Sequence, residues 1–316
     1  MRKWPKVSVS IIAYNQEKYI SQAIDSVLSQ CYPGELEIII RDDCSTDNTS
    51  DLIKCYSNNY ANIKHVCLTE NTYSLGVEPM TAAMKYATGE FIFLLEGDDY
   101  WTDPQKIRTV IDLMIENSIN VCFHSMCGID KDGKKVTDVA RHGNDITIFT
   151  PKEVILGGPA FINISGMVIK KSIFEAFPSW FYNGLPFGDY FIQVIASLSG
   201  GAIYIPKSMG AYRINSVGSW TSNQTQLPAN RLTRDFKLLV AAFKNLEKEV
   251  PPDLVRHVHE VAVKEYLNHA LRTANNNYLS LAWRIVMHTF LQFPVKSTGY
   301  KIKTILKIIV KFFTHG

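Results

Sequence analysis

The sequence predicts an α/β protein with a mostly parallel sheet flanked by helices and a helical extension at the C-terminus. Over the first hundred residues, short apolar runs alternate with segments of helical periodicity. From about residue 229, the apolar spacing is helical throughout. Because strands and helices that alternate at this spacing form parallel sheets covered on both faces, we expect a Rossmann-like core with an all-helical end.

The first half of the chain supplies four strand and three helix predictions. The stretches 7–13, 36–41, 63–68 and 91–95 predict strands, and 19–30, 45–56 and 78–88 predict helices. In parallel sheets of this kind, ligands bind beyond the carboxyl ends of the strands. Acidic residues follow the second and fourth predicted strands, so we expect the functional site there.

The second half is less regular until the helical end. Asp103 and Pro104 predict a helix start, Asp132-Gly133 predicts a hairpin turn, and 150–215 mixes strands, loops and a short helix near Phe174. Later breaks fall at Pro251-Pro252 and at 275–277. The predicted domains are 1–228 and 229–316.

Composition and charge exclude several classes of protein. The chain has 316 residues, 46% of them apolar, and a mean hydropathy of −0.03, which argues against a multi-spanning membrane protein. Six cysteines form no CxxC pair, and the N-terminus lacks the apolar core of a signal peptide. We expect a reduced, cytoplasmic protein without a structural zinc site.

The basic character of the chain is confined to its last 23 residues. The net charge is +3, and the stretch from Pro294 carries five lysines and no acid, so the rest sums to 3 − 5 = −2. A nucleic-acid partner is therefore not expected. Lys303, Lys307 and Lys311 predict a basic amphipathic helix over 294–316, which suits peripheral contact with an anionic membrane. The alternative is a helix packed on its own domain.

Glu96, Asp98 and Asp99 follow a buried strand within four positions. Two like charges about 4 Å apart repel by about 1 kcal/mol in water and by more in a cleft. A divalent cation, Mg²⁺ or Mn²⁺, would remove this repulsion and would be shared with substrate phosphates. The alternative is that Asp98 and Asp99 cap a helix N-terminus, and Asp42 with Asp43 has the same alternative.

Three motifs occur in order: "VSVSIIAYNQEKYISQAIDSVLSQ", "EIIIRDDCSTDNT" and "ATGEFIFLLEGDDYWTDPQKI". Together they resemble family 2 glycosyltransferases over residues 5–220. The resemblance implies a GT-A fold and inverting transfer of a sugar from a nucleotide diphosphate to an acceptor hydroxyl. The "EGDDYW" motif resembles a bacterial subgroup that builds surface polysaccharides.

The resemblance also implies roles for individual residues. The loop that lies against the nucleotide base in the family is matched by Ala13, Tyr14, Asn15 and Glu17. Asp42 matches the acid that reads the base. Glu96 matches the ribose contact, and Gly97 follows it in the same motif. A carboxylate at Asp42 accepts a hydrogen bond from uracil or thymine, whereas cytosine has no donor there. Gly97 lets a ligand approach the backbone.

The implied metal ligands are Asp98, Asp99 and Asn215. Asn215 occupies a position where related sequences often carry His, and its neutral oxygen is a weaker ligand. Asp189 in "PFGDYF" matches the general base, which takes the acceptor proton during an in-line displacement. Ser165 and Gly166 are predicted to form the pocket floor.

The resemblance divides 1–228 into a nucleotide-binding half, 1–100, and an acceptor-binding half, 101–228. The predicted partners are a nucleotide-sugar donor, most simply a UDP-sugar, and a glycan or lipid-linked acceptor. The helical end also suggests a homodimer. Two alternatives stay open: a nucleotidyltransferase, and a catalytically degenerate donor-binding scaffold in a membrane glycan assembly.

Overall fold

The structure is a computed structural model that describes residues 3–182, 185, 188–216 and 227–293. The chain divides into two compact units, Met1–Ser219 and Trp220–Gly316. The first unit holds a mixed α/β fold and the second is helical within its described residues.

The first unit contains twelve described strands and seven described α-helices. The strands are β1 (Val7–Ala13), β2 (Leu36–Asp42), β3 (Ile63–Cys67), β4 (Phe91–Glu96), β5 (Tyr100–Trp101), β6 (Val121–His124), β7 (Met126–Ile129), β8 (Lys135–Val139), β9 (Thr147–Phe149), β10 (Met167–Lys170), β11 (Ala202–Ile205) and β12 (Gly210–Arg213). The helices are α1 (Ile20–Leu28), α2 (Thr49–Asn59), α3 (Pro79–Met84), α4 (Lys106–Glu116), α5 (Pro151–Gly157), α6 (Lys171–Glu175) and α7 (Asp189–Ser197).

The main sheet has eight strands in the order β3-β2-β1-β4-β10-β6-β11-β9, and a smaller sheet has the order β5-β12-β7-β8. Strands β1, β2, β3 and β4 are mutually parallel where they pair. Strand β10 is antiparallel to both of its neighbours, β4 and β6. The predicted α/β class with a mostly parallel sheet is therefore confirmed.

The centre of the sheet is buried because both of its faces are covered. Val7, Val9 and Ile11 of β1 have no exposed surface, and Ser8 and Ser10 on the other face are equally buried. The predicted stripe of α1 packs on this core through Ile20, Ala23, Ile24 and Val27. Such near-continuous burial is typical of parallel strands covered on both faces.

The parallel strands bring three carboxyl ends to one edge of the sheet. Ala13 pairs with Asp42 across β1 and β2, and Ile12 pairs with Glu96 across β1 and β4. The residues that follow these strands are therefore neighbours. The sequence placed the start of the next helix too early: α4 begins at Lys106, while the Asp103 side chain accepts a hydrogen bond from the Gln105 amide within the preceding turn.

The described part of the second unit consists of α8 (Ala229–Glu249), α9 (Val255–Asn275) and α10 (Leu279–Gln292). Helix α9 contacts both of the others, and the interhelical core includes Leu267, Ala270 and Ile285. The breaks between the three helices lie at Pro251-Pro252 and near 275–277, as the sequence predicted. No helix in the described ranges combines the length and the apolar character needed to cross a bilayer. The predicted basic helix over 294–316 lies outside the described residues.

Candidate active site

The three acids after β4 lie in a tight turn that leads directly into β5. The Asp99 amide donates to the Glu96 carbonyl at 3.0 Å, and the Gly97 amide donates to the Ile12 carbonyl of β1 at 2.9 Å. Because the element that follows is a strand, Asp98 and Asp99 do not cap a helix. That alternative reading of the motif is wrong.

Asp99 is the most deeply buried of the three, with 1% of its surface exposed. Its Oδ1 accepts a hydrogen bond from the Arg213 amide at 3.0 Å, and Oδ2 has no hydrogen-bond partner among the described residues. Burial and the neighbouring charge of Asp98 raise the pKa of Asp99 to about 8, against hydrogen bonds from Ser165 and Arg213. A buried carboxylate oxygen without a partner fits a cation ligand.

Asp98 is half-buried and accepts a hydrogen bond from the Ser216 hydroxyl. Burial raises the pKa of Asp98, while the Ser216 hydrogen bond and the Arg213 charge oppose the rise. Asn215, the predicted third metal ligand, is exposed and has a φ of 56°. The left-handed backbone at Asn215 thus presents the following residue, Ser216, to the acidic turn.

Glu96 ends β4, and its amide donates to the Ser165 hydroxyl at 3.1 Å. Ser165 is fully buried, and the Lys106 ammonium donates to its carbonyl at 3.1 Å. Ser165 therefore lies directly beneath the acidic turn. Burial raises the pKa of Glu96 well above its usual range, and the charges of Asp98, Asp99 and other nearby carboxylates add to this shift.

Asp189, the predicted general base, is the first residue of α7. Asp189 is exposed as a residue, while neighbouring protein atoms partly desolvate its carboxylate group. This desolvation and the charge of Glu78 raise the pKa of Asp189 to about 6. Glu78 caps α3 by accepting from the Met80 and Thr81 amides, at 3.1 and 2.6 Å.

The charges of several of these acids act on the side chain of Tyr212 in β12. Burial raises the pKa of Tyr212, and the charges that add to the shift are those of Glu96, Asp99, Asp98 and Asp189. The charges of these four carboxylates, which span almost a hundred residues of sequence, therefore all act on one phenol group. Next to Tyr212, the Arg213 guanidinium lies over the Tyr19 and Tyr100 rings, 4.8 and 5.1 Å from their centres.

Asp42 ends β2 and is fully buried. Its Oδ1 accepts from the Ser45 amide at 3.1 Å and from the Ser45 hydroxyl at 2.5 Å. Its Oδ2 is buried and has no hydrogen-bond partner in the described part of the chain. One oxygen is thus used to hold the loop, and the other is available to a donor. The adjacent Asp43 is structural, since it accepts from Thr72 and Tyr73 and pairs with Arg41 at 3.2 Å.

The loop after β1 is held against the loop after β2 by several hydrogen bonds. The Asn15 amide donates to the Ser45 hydroxyl at 3.0 Å, and the Asn15 side chain accepts from the Thr46 amide at 2.8 Å. Glu17 accepts from the Asn48 amide at 3.1 Å. Tyr14 lies between Ala13 and this network and is exposed. The predicted nucleotide-binding residues of the two loops therefore form one wall.

Gly97 is required by packing. A Cβ at this position would lie 2.9 Å from the Ile12 carbonyl oxygen and 3.2 Å from Ile20 Cδ1. The predicted reason, close approach of a ligand, is not needed to explain the glycine. The close fit of the turn against β1 and α1 explains it.

The residues present fit a divalent cation bound by few protein ligands. In the part of the chain that the structure describes, the side-chain oxygens of Glu96, Asp98 and Asp99 do not all lie within 4.8 Å of one another. Mg²⁺ is typically held by one or two carboxylates together with substrate phosphates and water. A half-buried Asp98 and a buried Asp99 with one unpartnered oxygen match that mode.

Sequence reasoning missed four polar residues of this site: Glu78, Tyr212, Arg213 and Ser216. The sequence did carry signals for three of them. Glu78 precedes a proline at a helix start, and Tyr212 and Arg213 come shortly before Asn215, which the resemblance had marked. No local pattern indicated that any of these residues would meet an acid more than a hundred positions away.

Comparison with known proteins shows the family to which the chain belongs. The sequence profile described as Glycosyl transferase family 2 matches residues 8–177, more than half of the chain. The chain belongs to glycosyl transferase family 2. An uncharacterized protein of Mycobacterium tuberculosis is 30% identical over 224 residues, which cover 69% of this chain and 62% of that protein. The poly(ribitol-phosphate) beta-N-acetylglucosaminyltransferase TarS of Staphylococcus aureus is 28% identical over 170 residues, covering 54% of this chain and 29% of TarS. This family 2 chain thus spans less than two thirds of the length of these relatives.

Solved structures agree on the fold. TarS 1–349 in complex with UDP-GlcNAc superposes with a TM-score of 0.63 at 21% identity, covering 87% of this chain and 75% of that one. The mannosyltransferase PcManGT of Pyrobaculum calidifontis, in complex with GDP-Man and Mn²⁺, gives a TM-score of 0.56 at 16% identity, covering 99% and 87%. The predicted GT-A fold and the predicted membership of family 2 are confirmed.

Proposed function

We propose that this chain transfers a sugar from a UDP-sugar to a hydroxyl of a cell-surface polymer or lipid-linked glycan, with inversion at the anomeric carbon and with Mn²⁺ or Mg²⁺ as cofactor. One observation carries the proposal. The turn from Glu96 to Asp99 gathers three carboxylates with raised pKa values, and a buried oxygen of Asp99 has no hydrogen-bond partner among the described residues. A cluster of this kind is destabilising unless it binds a cation or proton.

The unpartnered oxygen of Asp42 supports a uracil donor. The ring N–H of uracil would donate to Oδ2, while the Ser45 hydrogen bonds hold the carboxylate in place. The structural relative TarS binds UDP-GlcNAc, which agrees with this choice. Glu96 would contact the ribose, and the wall formed by Tyr14, Asn15 and Glu17 would line the base.

Asp98 and Asp99 would hold the cation, and a role of Asn215 as a further ligand stays a prediction. When bound, a divalent cation stabilises the negative charge that develops on the departing diphosphate. The chain contributes its own cation through Arg213, whose charge acts on both acids. Ser216 and Ser165 would keep the two carboxylates oriented.

Asp189 would act as the general base. Its carboxylate takes the proton of the acceptor hydroxyl, the oxygen forms a bond to the anomeric carbon, and the bond from that carbon to the UDP oxygen breaks. A base with a pKa of about 6 is ionised at neutral pH and accepts a proton more readily than an ordinary aspartate. Attack from the face opposite the leaving group inverts the anomeric centre.

The acceptor is proposed from relatives. TarS is named for transfer to poly(ribitol-phosphate), and a Bacillus subtilis relative that is 35% identical over 134 residues is named as a putative teichuronic acid biosynthesis glycosyltransferase. Both names concern anionic surface polymers. The acceptor would be bound by the half of the domain that contains Asp189, residues 101–228. Membrane contact through 294–316, a homodimer and a cytoplasmic location stay predictions.

The test is product analysis with a panel of UDP-sugars and Mn²⁺. We expect release of UDP from one of them and a loss of ~10²- to 10⁴-fold in kcat for Asp189→Asn, with UDP binding retained. Asp132→Asn, which changes an exposed acid of the β7–β8 hairpin, is the matched control. Pyrophosphate release would indicate a nucleotidyltransferase, and tight donor binding without turnover would indicate the scaffold; either result overturns the proposal.

A further inference from the structure

A second group of metal-ligating side chains lies at the edge of the sheet formed by β2 and β3. Asp42, His65 and Cys67 each offer one ligand atom, and these three atoms lie within 4.8 Å of one another. The strand register explains their meeting. Cys67 pairs with Asp42 and His65 pairs with Ile40, so the three side chains leave the parallel strands on the same face.

The polar atoms of this group are poorly satisfied inside the protein. Oδ2 of Asp42 and Nε2 of His65 are both buried and have no hydrogen-bond partner among the described residues. Asp42 is fully buried as a whole. Buried polar atoms normally find partners, so two unpartnered atoms in one cluster indicate a ligand that both can bind.

The third member is a thiol at the surface. Cys67 is a free, exposed cysteine whose sulfur lies 3.4 Å from the Ser50 hydroxyl, in the first turn of α2. Its exposure leaves the site open to ions from solvent. Burial lowers the pKa of His65, against the charge of Asp42, and neutral imidazole is the form that binds a metal.

We propose that Asp42, His65 and Cys67 form a cation site for a Zn²⁺-type ion, and that an ion bound there and a nucleobase exclude each other at Asp42. The donor set of sulfur, nitrogen and oxygen suits Zn²⁺ and is unsuited to Mg²⁺, which takes oxygen ligands. Ligands around a tetrahedral Zn²⁺ lie about 3.5 Å apart, given bonds of about 2.0 to 2.3 Å. A small rotation of the exposed Cys67 side chain would shorten the separation of the ligand atoms, now within 4.8 Å, toward this distance.

The exclusion follows from the single free oxygen of Asp42. Its Oδ1 is held by the Ser45 amide and hydroxyl, which leaves only Oδ2 for a base N–H or for a metal. The exclusion clause rests on the proposed function, because it assumes that Asp42 reads the base. The metal site itself does not depend on that assumption. Zn²⁺ would then lower donor affinity while the acidic turn retains its own cation.

Cobalt binding tests the site directly. The full chain, freed of metal and kept reduced, is titrated with Co²⁺ in excess Mg²⁺, which occupies oxygen-ligand sites. We expect one equivalent of Co²⁺ to produce a thiolate-to-cobalt charge-transfer band. The band should persist in Cys55→Ser, which removes an exposed cysteine of α2 outside the group. It should vanish in Cys67→Ser, and His65→Ala should weaken binding at least ~10-fold.

Four outcomes would overturn all or part of the proposal. Absence of the band in the wild-type chain, or its survival in Cys67→Ser, removes the metal site. If the band forms but Zn²⁺ lowers UDP affinity equally in the wild type and Cys67→Ser, the exclusion clause is wrong. If UDP does not bind even without Zn²⁺, the proposed function fails while the cobalt result stands. Circular dichroism of each variant shows that it is folded.

Discussion

The ionised carboxylate of Asp99 should destabilise the metal-free fold, and Asp99→Asn should remove this effect. Asp99 is buried, keeps Oδ2 unpartnered and lies beside the charge of Asp98. Asparagine has nearly the same shape, and its Oδ1 can still accept from the Arg213 amide. The substitution therefore changes the charge and leaves the packing of the turn intact.

The sign and size follow from the pKa of about 8 for Asp99 in the folded chain, against 3.8 as the reference. A raised pKa means that the folded state holds the proton more tightly than the unfolded state, so the free energy of unfolding falls as pH rises from about 4 to about 8. One pKa unit corresponds to about 1.4 kcal/mol, which sets an upper limit of about 6 kcal/mol. The unpartnered amide of the asparagine offsets about 1 to 3 kcal/mol of the gain.

We therefore expect Asp99→Asn to raise the free energy of unfolding by at most about 3 to 5 kcal/mol at pH 8.5 and to leave it level or slightly lower at pH 5. Urea unfolding with a chelator present, followed by tryptophan fluorescence at both pH values, measures this change. Asp132→Asn serves as the exposed control. Mn²⁺ should stabilise the wild type at pH 8.5 more than the variant. Parallel pH dependence in wild type and Asp99→Asn would refute the reasoning.

Three further predictions concern the neighbours of the acidic turn. Glu78→Gln removes a like charge beside Asp189, so its pKa should fall and the acid limb of kcat/KM should move from near pH 6 to lower pH; an unmoved limb contradicts the coupling. Gly97→Ala should cost about 1 to 3 kcal/mol in urea unfolding through contact with Ile12; lower UDP affinity at unchanged stability would instead favour ligand approach. Ser45→Ala should weaken UDP binding about 10-fold in calorimetry by freeing Asp42, with kcat little changed.

The elements that were predicted well are those whose signal is local. Strands β1, β2, β3 and β4 are short apolar runs bounded by polar or turn residues, and the helices between them have a single apolar stripe. These patterns reflect burial of each segment and do not depend on distant partners. The antiparallel insertion of β10 between β4 and β6 was not predicted, because strand order depends on pairings that no local pattern encodes.

The same distinction applies to the candidate site. Asp42 and the three acids of the β4 turn could be placed at one edge, because parallel strands end on the same side of a sheet. The alternative reading of Asp98 and Asp99 as helix caps stayed open because the short strand β5 has only two residues, in which no periodicity is visible. His65 lay unnoticed within a strand, because a single histidine gives no metal signal without its neighbours across the ladder.

The amino-acid sequence by itself determined the alternation of strands and helices, the helical end and the acidic residues that follow β2 and β4, since each of these depends on hydrophobic periodicity or on neighbours in the chain. Only the tertiary structure decided which side chains meet the acids. Glu78, which precedes α3, acts on Asp189, while Tyr212 and Arg213 of β12 lie near Asp99, and the strand register alone brings Cys67 to Asp42. Which side chains come into contact depends on how the whole chain folds, and the separation of two residues along the sequence does not reveal it.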